Sequence, residues 1–482
     1  MSILIKKKQI FLFIIKILLI LLTYTLYETL FHNSNFDTFR NLGKYGAVLI
    51  LVLLVLDYIS TKVIFKPYTI IFICFCLFQF GIPILYGFIQ EYKNYYISRF
   101  SIDNIIFSAK YTILCIQFFD LGVNLFSLFS KQSKIRRFYN IFKKSDGIRQ
   151  FSRLGFYLLS IFAVPLVIFI AIQGLKLGYS EIKMNAAGTN IPLFRFIKTM
   201  FIPLGLLYIT FENNKKRRIR AYLLLFLYSG ISLLSGGRTE GLVLLLVLSY
   251  SWLNSSNRKK EKLNTGKVVG YIVLIFSIVF MLNMIASLRM GNNYIGEKNN
   301  IFVDMIEEMG FNFTSITFTK DFVPEHTNYS YGMSYISSLI CLIPKSIDPT
   351  GIVSTLNSQL PELWLADTLN SYYGNLFAFG VGYSVIAEAY YNFGEFGYLF
   401  MIVIGYLIGK IFSKNYTESS DLGKYIQLVM LFSLATWPRR SMLTLFKALE
   451  YNIFLVFILY IIFELFVYRK KYLIYNSKRR NV

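Results

Sequence analysis

The sequence predicts an all-α polytopic membrane protein with about twelve transmembrane helices, both ends on the cytoplasmic side, and one large outer loop. Three observations carry this. Hydrophobic residues make up 55% of the chain and charged residues only 16%. Apolar runs long enough to cross a hydrocarbon core of about 30 Å recur from end to end, at roughly 20 residues per crossing. Basic residues gather in alternate loops, as the positive-inside rule requires.

The first span is read at 10–27. Lys6, Lys7 and Lys8 precede it, as in a signal peptide, but no small-residue cleavage site follows and Thr23-Tyr24 continues the helix, so it is expected to be retained. Further spans are expected at 44–60, 67–90, 104–130, 154–175, 194–211, 221–234, 241–253, 268–287 and 395–412. The apolar stretch 425–468 must fold back once and supplies the last two. With the N-terminus inside, the inner segments hold 31 basic residues in 87 positions and the outer segments 12 in 164. This divides the chain into a first bundle at 1–287 (about nine spans), an outer loop at 288–394, and three spans with a basic cytoplasmic tail at 395–482. The formal charge of +24 is accounted for by the same asymmetry, because the excess sits in short cytoplasmic loops. Nucleic acid is therefore excluded as a partner.

Cys74, Cys76 and Cys115 fall inside spans and Cys341 is alone in the outer loop, so there is neither a disulfide framework nor a metal-ligand spacing. The two histidines, His32 and His326, lie on the outer side by this topology. No phosphate loop or soluble catalytic domain is legible. Neither a metal nor a cofactor is expected, and any chemistry belongs within the membrane or at its outer surface.

Three breaks in the apolar pattern mark candidate functional residues. The stretch 221–253 has strongly basic flanks on both sides, so the chain must enter and return. The reversal falls at Ser235-Gly236-Gly237-Arg238-Thr239-Glu240, where glycine permits a tight turn. Each arm is only about 15 residues, roughly 22 Å, which would leave Arg238 recessed in the outer leaflet. In 425–468, a reversal at Trp437-Pro438 puts Arg439 and Arg440 at the tip; one nearer Lys447–Glu450 puts them a turn or two inside the outer half. Arginine at membrane depth is costly and normally faces a cavity or an anion, and its planar fork suits phosphate. The plainer role is snorkelling to lipid headgroups. The outer loop opens with Arg289, carries an acidic helix-like run at 301–309, and has a 13-residue apolar patch, Tyr331 to Ile343, ended by Pro344. That patch is too short to cross and is expected along the interface or as a re-entrant helix. The loop closes on a glycine- and aromatic-rich run with Glu388 and Glu395 just ahead of a span. A carboxylate held against the bilayer is desolvated, which raises its pKa toward the range of a general base; a solvated or arginine-paired carboxylate is the plainer role.

Ser-Gly-Gly-Arg-Thr at 235–239, the proline-ended segment Ser338 to Lys345, and the run Ile386 to Gly394 followed by Gly397 resemble the Wzy-type oligosaccharide repeat-unit polymerases of bacteria, the O-antigen and capsule polymerases. The motifs lie within about 220–440 and the layout covers most of the chain. One departure is Lys345, where members often have arginine. The resemblance implies a glycosyltransferase C-like architecture in the bacterial cytoplasmic membrane. It implies transfer of a growing glycan from undecaprenyl pyrophosphate to the non-reducing end of a new lipid-linked repeat unit, independent of metal. Arg238, Arg289, Arg439 and Arg440 would then hold the pyrophosphate, and Gly236, Gly237, Tyr390 and Asn392 would line the substrate site. Glu388 would be the base, with His326 second. Membrane lipids and a polysaccharide chain-length regulator are the other expected partners. An O-antigen ligase has similar anatomy and commonly uses a loop histidine, which His326 could supply. A flippase needs no loop of this size and should carry its cations at its centre.

Overall fold

The computed structural model describes residues 2–63, 65–94, 97–129, 145–177, 192–234, 238–255, 301–344, 348–374 and 382–467. Every regular element among them is helical. The chain opens with α1 (Ser2–Thr29), α2 (Phe36–Thr61), α3 (Pro67–Phe88) and α4 (Ile102–Phe129). Then come α5 (Ser145–Leu177), α6 (Pro192–Phe211), α7 (Lys215–Leu234) and α8 (Arg238–Ser255). The expected outer loop contributes α9 (Ile301–Gly310), α10 (Phe313–Phe322), α11 (Met333–Ile340), α12 (Ile352–Ser358), α13 (Pro361–Tyr373) and α14 (Val385–Phe393). Last are α15 (Gly397–Ile411), α16 (Asp421–Thr436) and α17 (Met442–Val467), which contains a π-helical turn at Glu450–Leu455.

Seven of the described helical stretches are long and apolar enough to cross a bilayer, the sixth formed by α14 and α15 together. Helices α6, α7, α8 and α16 have 20, 20, 18 and 16 residues. They correspond to four more of the expected crossings but are shorter or more charged at their ends. The crossing expected at 268–287 lies outside the described residues.

The helices form two compact units. The first takes in residues 1–132, 297–414 and 433–447. Its helices approach closely because glycine stands at the crossings. A Cβ at Gly405 of α15 would lie 2.0 Å from the Phe119 carbonyl of α4, and one at Gly122 would lie 2.2 Å from that of Ile402. A buried ion pair joins α1 to α4: Lys16 Nζ stands 2.6 Å from Asp120 Oδ2, with both side chains almost wholly enclosed. The Tyr68 hydroxyl of α3 donates to the same carboxylate. Such a pair adds little net stability, but losing either partner strands a charge in apolar surroundings.

Helices α9 and α10 dip into this unit instead of standing clear of it. Glu307 accepts from Asn94 at 2.8 Å, and Gly310, one turn on, packs backbone to backbone against Gly81 of α3. After the turn, Phe313 stacks on Phe39 and Asp321 accepts from Asn104 at 2.8 Å. The hydroxyls of α10 bond to their own helix: Thr317 to the Phe313 carbonyl and Thr319 to that of Ser315. The apolar patch 331–343 contains α11, whose Ser334, Ser337 and Ser338 are buried while Met333, Ile336 and Leu339 are about half exposed, at 48, 49 and 52%. Turning the apolar face outward suits a helix that meets lipid.

The second unit takes in residues 133–296, 415–432 and 448–482. In it α7 and α8 run antiparallel, since Ser229 Oγ donates to the Gly241 carbonyl at 2.6 Å and the Tyr222 and Ser251 hydroxyls lie 2.7 Å apart. Those pairs centre on the glycine turn read from the sequence. The Tyr425 hydroxyl donates to the Asn452 carbonyl. These two residues are equidistant in sequence from Pro438-Arg439, so the last apolar stretch reverses at Trp437-Pro438. The alternative reversal near Lys447–Glu450 does not hold, because that stretch continues as helix.

Candidate functional site

Helix α14 begins at Ser384, whose side chain accepts from the Ala387 N–H at 3.1 Å and from Ser315 Oγ at 2.8 Å. It ends at Gly394, which adopts a φ of +57° against the Tyr329 ring. One turn into the helix stands Glu388, fully buried. Its Oε1 accepts from Ser334 Oγ at 3.0 Å and its Oε2 from the Met442 backbone N–H at 2.7 Å. Met442 opens α17, so the carboxylate meets an otherwise unpaired N–H at the positive end of a helix.

Asn392, one turn further on, donates to Ser334 Oγ and to the Glu388 carbonyl, both at 2.7 Å, and accepts from the Gly332 N–H at 2.9 Å. The Ser330 and Tyr331 N–H groups donate to the carbonyls of Tyr391 and Asn392. Thus Asn392 is occupied in fastening the start of α11 to α14. Tyr390 is also buried, with its ring against Phe107 and Tyr111 and its hydroxyl donating to the Val323 carbonyl at 3.3 Å.

The α16–α17 reversal meets the same cluster. Trp437–Arg439 form a single 3₁₀ turn and Arg440 is extended. Gln79 of α3 donates to the Pro438 carbonyl, which holds the turn about nine residues, roughly 14 Å, from the Phe88 end of α3. Gly382 lies within contact reach of the Arg439 carbonyl and the Asn312 side chain, so the turn and the tip of the α9–α10 hairpin adjoin. Arg439 and Arg440 are partly exposed.

A second carboxylate, Glu362, faces this turn from the first turn of α13. Ser441 Oγ donates to it, and Thr444 Oγ1 stands 3.5 Å away. Burial pushes its pKa above the ordinary glutamate range, while the Arg440 and Lys447 charges and Thr444 pull it back. A small apolar core of Cys341, Val353, Leu360 and Leu443 keeps the start of α13 beside the start of α17.

The geometry brings Glu388, Asn392, Tyr390, Arg439 and Arg440 of the expected set into one unit. His326 is exposed and lies against Phe322 and Tyr372; the next residue, Thr327, accepts from Trp364 of α13 at 3.3 Å, and Tyr390 donates to the Val323 carbonyl three residues before the histidine. Arg238 opens α8 in the other unit. Gly236, Gly237, Arg289 and Lys345 lie outside the described residues.

Sequence reasoning passed over Glu362, Ser441, Gln79 and Ser334. Glu362 follows Leu360-Pro361, and an acidic residue there reads as an ordinary helix start. Ser334 did carry a signal, since serines at 334, 337 and 338 place one polar stripe on an otherwise apolar run.

Set against known proteins, the chain matches the family model described as O-antigen polysaccharide polymerase Wzy over residues 9–471. No curated protein and no solved structure matches it.

Proposed function

We infer from one premise, that this chain belongs to the O-antigen polysaccharide polymerase Wzy family, that it polymerises undecaprenyl-pyrophosphate-linked repeat units at the outer face of the bacterial cytoplasmic membrane. The glycan of one lipid carrier is transferred to the non-reducing end of a second lipid-linked unit. The acceptor hydroxyl loses its proton to a base, its oxygen bonds to the donor's anomeric carbon, and the bond from that carbon to pyrophosphate breaks. The electron pair leaves with the lipid pyrophosphate. Such a reaction needs fixed positive charge where the leaving group develops its own.

The observation that carries the reading is the recessed turn 437–440. It presents two partly exposed arginines well short of the end of α3, beside two carboxylates. Arginine supplies bidentate contacts to phosphate oxygens, the charge compensation that a metal ion gives in other transferases. Arg238 and Arg289 are proposed as further pyrophosphate contacts, Gly236 and Gly237 as substrate-site residues, Tyr390 and Asn392 as buried residues that shape the substrate site from behind, and a chain-length regulator as a partner. Deleting the gene tests the function: surfaces capped with single repeat units are the expected outcome, whereas accumulated unligated polymer would indicate a ligase instead.

Twelve crossings with both ends inside are part of the same reading, supported by the 31-to-12 division of basic residues. Reporter fusions at about residues 140, 260 and 478 should report cytoplasm, and one at about 320 the outer side. Cytoplasmic reactivity at 320 would overturn the orientation.

For Arg238, replacement by lysine should cripple polymerisation without changing protein level or insertion, because a point charge does not reproduce a bidentate fork. Wild-type polymer from both Arg238→Lys and Arg238→Ala would remove it from the site.

A further inference from the structure

We propose that Glu362 is the general base that takes the acceptor hydroxyl proton, and that Glu388 is a positioning residue that holds the arginine turn. This rests on the polymerase reading above.

The two carboxylates differ in what their oxygens are free to do. Glu388 has no exposed surface, and both oxygens are engaged, one by Ser334 and one by the Met442 N–H. A sugar hydroxyl would have to displace a helix-end amide to reach it. Glu362 keeps part of its surface open, and only Oε1 accepts from the neighbouring hydroxyls. It sits on the next residues of the same turn: Arg440 and Lys447 act on it from α17 and its approach, and Ser441 separates Arg440 from the residue that Glu388 caps. A proton taken there leaves the acceptor oxygen beside the arginines that face the pyrophosphate, so one short segment serves both bond making and bond breaking.

The charged and titratable groups that act on Glu362 or feel it are Arg440, Lys447, Glu388 and Tyr383. Burial favours its neutral form, so its proton should leave at a pH above the ordinary glutamate value of about 4.3. Since the base must be ionised to act, the rate should rise with pH through that point and fall away below it.

The test uses full-length protein in membrane vesicles supplied with synthetic lipid-linked repeat units. Glu362→Gln should lower kcat by about 10²–10⁴-fold, with KM changed by less than about threefold, and should abolish the acid limb of the pH profile. Glu388→Gln should keep that limb where the wild type has it. Glu362→Gln at the wild-type rate overturns the assignment, and so does a wild-type profile with no acid limb, even where the variant fails to reach the membrane. A wild type that makes no polymer sinks the polymerase reading itself.

Discussion

Replacing Arg439 and Arg440 together by alanine should abolish polymer formation in membranes that still contain the protein at its normal level. The turn that carries them keeps other anchors when the guanidinium groups go: Gln79 on the Pro438 carbonyl, Glu388 on the Met442 N–H, and Leu443 in its apolar core. Removing the guanidinium groups should therefore leave the turn in place. What is lost is charge stabilisation of the departing pyrophosphate. One preorganised donor at a developing anion is worth about 10²–10³-fold in rate, about 3–4 kcal/mol, so two should take turnover below detection. Lysine at both positions should restore only part of it, because charge returns without the fork. The observable is the ladder of multiples of the repeat unit resolved by gel. Survival of a normal ladder in the double alanine variant would show that these arginines only reach for lipid headgroups.

Glu388→Ala is expected to fail for a different reason. Truncation leaves the Met442 N–H and the Ser334 hydroxyl without their acceptor in a fully enclosed position, at about 1–3 kcal/mol for each stranded group. A cavity adds to this where the side chain was. The protein should be lost from the membrane or melt at a clearly lower temperature in detergent. Glu388→Gln is the informative partner. Its amide oxygen can accept from Met442 and its amide nitrogen can donate to Ser334 Oγ, a hydroxyl oxygen with room for two donors even with Asn392 present. Folding should survive and activity should stay within about tenfold of wild type. A fall of about 10²–10⁴-fold in intact Glu388→Gln would instead mark Glu388 as the proton acceptor.

Only part of this arrangement is legible in the amino-acid sequence. The apolar runs and their basic flanks located the long helices, because bilayer thickness sets a length that composition records directly. The glycine turn between α7 and α8 was legible for the same reason. The basic flanks of 425–468 required a reversal but left it open between Trp437-Pro438 and Lys447–Glu450, and the helix running through 447–450 decides for the former. Glu388 stood out in the sequence, with Glu395, as a carboxylate in an aromatic and glycine-rich run, but its partners did not. Ser334 and Met442 are each 54 residues away, and nothing local to Glu388 announces a helix start more than fifty positions downstream. The loop 288–394 reads as an extramembrane piece because its helices are short and polar. In fact α9 and α10 enter the first unit, their hydroxyls satisfied by their own backbone and their turn admitted by Gly81 and Gly310. Glu362 was invisible as a site because the cations that act on it belong to α17 and its approach, about 80 positions further along the chain.

The most direct measurement is the product formed by purified protein, reconstituted in liposomes with a single species of undecaprenyl-pyrophosphate-linked repeat unit and nothing else. The expected result is a ladder of products, each one repeat unit longer than the last and still carried on lipid, with one lipid pyrophosphate released for every linkage made. The Arg439/Arg440 double alanine variant, present in equal amount, should leave the substrate unchanged, and Glu362→Gln should consume it about 10²–10⁴-fold more slowly. A wild-type protein that leaves the repeat unit intact, or merely moves it from one leaflet to the other, would contradict the polymerase reading.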